Sequence, residues 1–205
     1  MIKNIVFDFG DVFINLDKTA TRKAFEDLKI SKLSDDEEYL LIQYELGNVS
    51  TKQFITKFLK YQDSVSSEKE LIDAWNAILK DFPTYRLDFI KKLNTSKRYR
   101  LFLLSNTNDL HISWIQKEWG IKKYCEFKSC FEKFYLSHEI CLRKPNANIY
   151  EFVLNENHLR AHETLFIDDT KDHTDAAKKL GIHVWNIDPL VEDVVNLWTR
   201  KEFQQ

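Results

Sequence analysis

Cysteine is scarce, neither sign of charge is in excess, and no long apolar run occurs. The three cysteines among 205 residues, Cys125, Cys130 and Cys141, are an odd set without zinc-ribbon spacing, so reduced thiols in a cytoplasmic protein are expected rather than a thiolate-held metal. Acidic residues (32) nearly balance basic ones (30), which argues against a chain whose main task is to grip nucleic acid or an anionic membrane. A small-molecule partner is expected instead. Nothing approaches the ~20 apolar residues of a membrane span, and only a few apolar residues separate Lys3 from Asp8, unlike a secretory signal. Internal repeats and low-complexity tracts are absent too, which leaves element order to organise the chain. Apolar surface, by contrast, is plentiful. Hydrophobic residues make up 43% and aromatics 14%, with Phe counted 15 times, enough for a sizeable core and against disorder.

The stretch Ile5-Val6-Phe7-Asp8-Phe9-Gly10-Asp11-Val12-Phe13 reads as a short buried strand running into a carboxylate, because apolar residues fill its start without polar alternation. Asp8 is the first charge after the run. It is either an ordinary turn residue with Gly10 and Asp11, or a group at the carboxyl edge where open α/β sheets bind their ligands.

Helical periodicity follows. One segment runs over about 17–28 and a second over about 35–46, stopped by Gly47 as a left-handed cap. Ser50 and Gln53 form a capping box for a third, with Phe54, Ile55, Phe58 and Leu59 on one face. Ser67 and Glu70 open a fourth, whose stripe of Leu71, Ile72, Trp75, Ile78 and Leu79 stops before Pro83. Consecutive helices with no strand between them make a small bundle rather than part of an alternating sheet domain.

Alternation begins afterwards. A helix through Leu87, Ile90 and Leu93 leads to a strand at 99–104, a helix at 109–119 stopped by Gly120, and a short strand within 131–136. A helix through Ile149, Phe152 and Val153 carries Pro145 in its first turn; a strand at 164–167, a helix ending at Gly181 and a strand at 183–187 complete the chain. The expected fold is α/β: a Rossmann-like parallel sheet with helices on both faces, formed by 1–14 and 85–205, with a small helical-bundle cap inserted at 15–84.

Asp8, Ser105 and the pair Asp168-Asp169 each end an apolar strand, so one sheet edge is expected to gather three carboxylates, a hydroxyl and Lys144. Three carboxylates do not stay ionised together without a cation, because each like charge raises its neighbours' pKa. Mg²⁺ takes a few carboxylate oxygens, keeps several waters and shares its remaining positions with phosphate, which suits Asp8 with Asp169 and Asp168. The alternative at Asp168-Asp169 is a plain cap for the helix beginning near Thr170. Ser105 and Asn106 sit where a strand turns into a helix, so a hydroxyl and backbone N–H groups can face an anion there. Lys144 adds a positive charge able to neutralise a phosphoryl oxygen or restrain a carboxylate; taken alone, a lysine before proline is more often a solvated side chain.

The segments Asp8-Phe9-Gly10-Asp11-Val12, Leu103-Leu104-Ser105-Asn106, Arg143-Lys144-Pro145 and Phe166-Ile167-Asp168-Asp169, in that order, resemble the four motifs of the haloacid dehalogenase-like hydrolases. The resemblance spans essentially the whole chain, including the helical insertion after the first motif. It is nearest to the small phosphatase-like branch with Ser-Asn-Thr-Asn and Arg-Lys-Pro. It implies an Mg²⁺-dependent phosphatase acting on a small phosphorylated substrate such as a sugar phosphate. Asp8 would attack phosphorus to form an aspartyl-phosphate that water later hydrolyses. The resemblance also implies that Ser105 and the Asn106 backbone hold the phosphoryl group, that Lys144 offsets charge, and that Asp8, Asp169, Asp168 and the Gly10 carbonyl hold Mg²⁺.

Two positions depart from the family pattern. Phosphatases of the family commonly carry Asp two residues after the nucleophile as general acid/base, and here Gly10 stands in that place, with Asp11 one residue further on. Loss of such a group costs about 10²–10⁴ in rate, so weak turnover is expected, although similar members with Gly there include a bacterial sugar-1-phosphate phosphatase. His173 stands where Asp or Asn commonly supports the metal, with Asp172 beside it. Two other readings compete: a non-catalytic relative that binds phosphate or a protein partner, and a metal-independent 2-haloacid dehalogenase, which the Asp168-Asp169 pair disfavours. Other features have ordinary expectations. His111 is placed on a helix surface, Trp75, Trp114 and Trp185 in the core, Tyr44, Glu45 and Asn48 near the mouth of the site, and the basic run from Lys91 to Arg100 in solvent at a helix end and strand entry.

Overall fold

Side chains alternate faces along a strand, and the strands of this chain are apolar on both. The computed structural model describes residues 1–30, 32–61 and 67–203, except the side chain at 202; positions 31, 62–66, 204 and 205 of the two expected domains lie outside the described residues. Five parallel strands, β1 (Asn4–Phe7), β2 (Arg100–Ser105), β3 (Lys133–Leu136), β4 (Thr164–Asp168) and β5 (His183–Asn186), lie in the order β3-β2-β1-β4-β5. The order reverses at β1, which pairs with both β2 and β4.

Helices α1 (Ala20–Asp27), α2 (Asp35–Glu45), α3 (Thr51–Tyr61) and α4 (Glu68–Asn76) fall between β1 and the rest. Then α5 (Thr84–Ser96), α6 (Asp109–Trp119), α7 (Ile121–Lys128), α8 (Ser137–Ile140), α9 (Ala147–Glu156) and α10 (Lys171–Lys179) are threaded among the remaining strands. Ile5, Phe7, Leu101, Leu103, Leu165 and Ile167 pack on one face of the sheet against Ile90 of α5, Ile115 of α6 and Phe127 of α7. Val6, Phe102, Leu104 and Phe166 pack on the other against Ile149, Tyr150 and Val153 of α9 and Ala177 of α10. This is the expected parallel sheet covered on both sides.

Phenylalanine fixes the exit of β1. Phe9 stacks on Phe127 at 5.3 Å, and Phe13 meets the same ring edge-on at 5.0 Å. Burying each such ring contributes about 1.5–3 kcal/mol, so the turn carrying Asp8, Gly10 and Asp11 is pinned from beneath.

The four helices after β1 have a hydrophobic cluster of their own. Phe25, Leu40, Tyr44, Phe54, Phe58, Leu71 and Trp75 gather there with Leu110 of α6, and Tyr44 stacks on Phe54 at 4.3 Å. The capping box of α3 forms as its sequence specifies: Ser50 N–H donates to Gln53 Oε1 at 2.8 Å and Gln53 N–H to Ser50 Oγ at 3.3 Å. Gly47, at φ +69°, ends α2 as expected.

Several boundaries differ from expectation for identifiable reasons. Helix α1 begins at Ala20 because the Asp17 carboxylate accepts from Thr19 N–H at 3.0 Å and forms a turn first. Helix α4 stops at Asn76, leaving Ile78 and Leu79 outside it. Their backbone is used instead to pair with the outgoing chain: Asp17 N–H reaches Ile78 O at 2.8 Å, Lys80 N–H reaches Asn15 O at 3.0 Å, and Leu16 bridges Leu79. Pro145 precedes the N-cap Asn146 of α9 and so lies outside its first turn. Helix α7 was not expected; only Tyr124 and Phe127 of it are buried, too few for a readable stripe.

In the basic stretch, Lys91 pairs with Glu126, Arg100 Nε with Glu132 at 2.8 Å, and Arg98 lies over the Tyr99 and Trp198 rings. Among the described residues no helix is long and apolar enough to cross a membrane.

Candidate active site at the carboxyl edge of the sheet

The ends of β1, β2 and β4 are adjacent, so Asp8, Ser105, Asp168 and Asp169 emerge side by side. Asp8 N–H continues the ladder to Ile167 O at 2.8 Å, which fixes where its side chain leaves the sheet. Lys144 reaches the same spot from the loop before α9. Its ammonium has three protons and three acceptors: Asp8 Oδ1 at 2.7 Å, Asp168 Oδ2 at 2.6 Å and Leu104 O at 3.0 Å. It is 1% exposed. The solvated-lysine alternative is thereby excluded, since a buried ammonium is tolerated only with such pairing.

The loop carrying Lys144 is tied to the end of β2 by one side chain. Asn106 Nδ2 donates to Lys144 O at 2.9 Å, and Asn106 Oδ1 accepts from Lys144 N–H at 2.9 Å. These two bonds fix the Asn106 side chain against the Lys144 backbone. Ser105 Oγ, by contrast, makes one long contact of 3.5 Å to Asn106 O, which leaves the hydroxyl free to serve an anion.

The carboxylates have unequal freedom. Asp168 is fully buried; it accepts from Thr170 N–H at 2.8 Å, from Lys144, and from His173 Nδ1 at 3.0 Å. Asp168 therefore both steadies the start of α10 and holds Lys144, and His173 acts by supporting it. Asp169 pairs with Lys18, whose ammonium also lies 3.0 Å from Asp11 Oδ2. Lys18 is the site residue that the sequence did not announce, since it sits among ordinary helix-entry polar residues.

Burial pushes Asp8 up to about 6, the charges of Asp168 and Asp169 add to the rise, and Lys144 opposes it. Burial works the same way on Asp168, but Lys144 and His173 outweigh it and hold that carboxyl below its ordinary range. Asp8 is thus short of positive charge even with Lys144 beside it. One oxygen from each of Asp8, Asp168 and Asp169 lies within 4.8 Å of the others, a set of hard donors of the kind Mg²⁺ takes. The residues present fit that ion.

At Gly10, an added Cβ would come within 2.7 Å of Leu16 Cδ1, so Leu16 occupies the space where an acid/base side chain would begin. Asp11 does not replace it. Its Oδ1 accepts from Leu16 N–H at 2.9 Å, and its Oδ2 faces Lys18.

His111 is not on an open helix surface. Its ring stacks on Trp75 at 5.5 Å, and its Nε2 lies 3.3 Å from Trp75 O. Burial lowers it to about 4. Trp75 and Trp185 are buried as expected, and Trp114 packs partly buried against the core.

The model of the haloacid dehalogenase-like hydrolase family matches residues 5–187. The D-ribitol-5-phosphate phosphatase of Bacteroides thetaiotaomicron is 29% identical over 190 residues, covering 90% of this chain and 91% of that protein. A HAD family enzyme of B. thetaiotaomicron, solved as a magnesium complex, superposes with a TM-score of 0.84 at 32% identity, over 97% of this chain and 99% of that one. A HAD-like family hydrolase from Porphyromonas gingivalis gives 0.85 at 30% identity, over 100% of both chains. The chain belongs to the haloacid dehalogenase-like hydrolase family.

Proposed function

We propose that the protein is an Mg²⁺-dependent phosphatase of small phosphorylated metabolites, sugar or sugar-alcohol phosphates in particular, working through an aspartyl-phosphate on Asp8. The observation that carries this reading is Lys144, enclosed and hydrogen-bonded to both Asp8 and Asp168 beside a third carboxylate. The magnesium and D-ribitol-5-phosphate named for the relatives support it.

Asp8, Asp169 and the Gly10 carbonyl would hold the ion, with Asp168 beside them. When bound, Mg²⁺ supplies charge neutralisation for the phosphoryl oxygens and for Asp8. The chain's own residues do the rest. Lys144 holds Asp8 Oδ1, which leaves Oδ2, unpartnered among the described residues, to attack phosphorus. The P–O bond to the leaving group breaks as the Asp8–phosphorus bond forms, and water then attacks phosphorus to free the carboxylate. The Ser105 hydroxyl and the Asn106 N–H receive the transferred oxygens. Residues 15–84 act as a cap that sets specificity. With Gly10 in place of an acid/base, turnover is weak on substrates whose leaving group needs a proton.

A binding protein without turnover is the second reading, favoured by Leu16 filling the space beside Gly10. The test is phosphate release across a panel of aryl, sugar and polyol phosphates, with and without Mg²⁺, for the native chain and Asp8→Asn. The phosphatase reading requires Mg²⁺-dependent release that Asp8→Asn abolishes. No release from any substrate, with Asp8→Asn indistinguishable from native, supports the second reading. Metal-independent halide release from a 2-haloacid supports dehalogenation instead.

A further inference from the structure

Helix α2 ends against the two loops that grip the phosphoryl group in the phosphatase reading. Glu45, its last residue, uses both of its acceptors there. Its carboxylate takes Arg143 Nε–H at 2.6 Å, and its main-chain carbonyl lies 2.6 Å from Ser137 Oγ. Ser137 Oγ in turn accepts from Thr107 N–H at 3.0 Å. It also lies 2.9 Å from Thr107 O, but a hydroxyl has one proton. Thr107 O has a second partner in His138 Nδ1 at 3.2 Å, so the Ser137 proton goes to Glu45, the nearer acceptor.

Arg143 immediately precedes Lys144, and Thr107 follows Ser105 and Asn106. A single residue of the helical segment therefore holds both loops, which the Asn106 amide already couples to each other. The approach is close. A Cβ on Gly47, two residues on, would fall 2.0 Å from His138 O, so the end of α2 presses backbone to backbone on α8, the short helix directly after β3. Glu45 and Arg143 are both partly exposed, and an ion pair in that setting adds little to stability. A bond to a charged group does fix orientation, and the group it orients is next in sequence to the buried ammonium.

We propose that Glu45 is a positioning residue: through Arg143 and Ser137 it sets Lys144 and the loop after β2 for phosphoryl transfer, so that the grip on phosphate depends on the helical segment being seated. The proposal rests on the phosphatase reading above. Its alternative is a surface ion pair with no bearing on chemistry.

The test compares the full-length native chain, Glu45→Gln, Glu45→Ala, Arg143→Ala and the Glu45→Ala/Arg143→Ala double variant, all with Mg²⁺. Misplacement by an ångström costs on the order of a hundredfold, so Glu45→Ala is expected to lower kcat roughly ten- to hundredfold, with KM changed less. Glu45→Gln keeps an acceptor oxygen and recovers most of the loss. The double variant is no worse than the worse single one, because the carboxylate acts through the guanidinium. Affinity for inorganic phosphate, measured by calorimetry with Mg²⁺, falls in the same order. Unchanged kcat and phosphate affinity in folded Glu45→Ala, or losses that multiply in the double variant, overturn the proposal. If Glu45→Ala does not fold, Glu45→Asp takes its place. Its shorter side chain loses the reach, and an Asp variant with native kcat and phosphate affinity is equally fatal. A native chain that binds phosphate but hydrolyses nothing overturns the phosphatase reading, and the affinity series still decides the role of Glu45.

Discussion

Lys144 Nζ donates to Asp8 Oδ1 at 2.7 Å from a position that is 1% exposed. The oxygen of the proposed nucleophile is thus fixed by an ammonium whose protons are all taken up by protein. Removing that ammonium leaves Asp8 and Asp168 as buried carboxylates facing each other. Breaking a buried pair in this way costs about 3–5 kcal/mol. Lys144→Met is therefore expected to lose that much stability in urea unfolding and to lose hydrolysis altogether. Mg²⁺ should restore part of the stability, because it supplies the missing positive charge. A Lys144→Met protein as stable as native without Mg²⁺ contradicts the arrangement.

Gly10 and Leu16 make a second prediction. Gly10→Asp restores a side chain where related phosphatases carry their acid/base, but its Cβ meets Leu16 Cδ1. Leu16 has to move aside to admit the new side chain, so Gly10→Asp/Leu16→Ala is expected to turn over faster than Gly10→Asp alone, and both faster than native. The gain should be larger for sugar and polyol phosphates than for aryl phosphates, whose leaving groups need no proton. Equal gains, or none, on both classes count against the missing-acid account.

Gly47 combines a left-handed φ of +69° with contact to His138 O. Gly47→Ala is expected to cost more than the ~1 kcal/mol of an ordinary incompatible glycine replacement, because backbone rather than a movable side chain lies in the way. For a chain of this size each kcal/mol lowers Tm by about 2–4 °C. Thermal unfolding unchanged within a degree or so would show that α2 does not bear on the core.

His111 gives a pH signature away from the carboxylates. Burial lowers it from the ordinary 6.5 to about 4, its contact with Trp75 O working the other way and His138 adding to the fall. The folded protein holds a neutral ring while the unfolded chain takes up a proton as pH drops through about 6.5. Its contribution to stability therefore declines from pH 6.5 to about 4 and levels off below. NMR titration should find this imidazole silent between pH 7 and 5, and His111→Gln should flatten that part of the stability curve. An imidazole titrating near 6.5 contradicts the burial.

Much of this was legible because strands and caps carry local signals. Apolar runs ending in Asp8, Ser105 and Asp168 mark three adjacent strand ends, and Ser50 with Gln53 marks a helix start, without reference to anything distant. Relationships between remote segments were not legible. The end of α4 is set by pairing of Lys80 with Asn15, the enclosure of His111 by Trp75, and the hold on Asp169 by Lys18. Asp11, one residue beyond Gly10, has no side-chain direction that sequence alone can give. Its carboxylate is bound to Leu16 N–H and Lys18, which only the folded turn reveals. Glu45 had been placed near the mouth from its position in the bundle, but its partner Arg143 lies 98 positions away.

The central claim is that Asp8 carries the phosphoryl group between two displacements. Enzyme turning over a phosphorus-labelled sugar phosphate with Mg²⁺ is quenched in acid and digested, and the label is sought on the peptide containing Asp8. The account predicts protein-bound label that hydroxylamine discharges, as an acyl phosphate must, and none in Asp8→Asn. Steady hydrolysis with no label on protein, undiminished in Asp8→Asn, would contradict it.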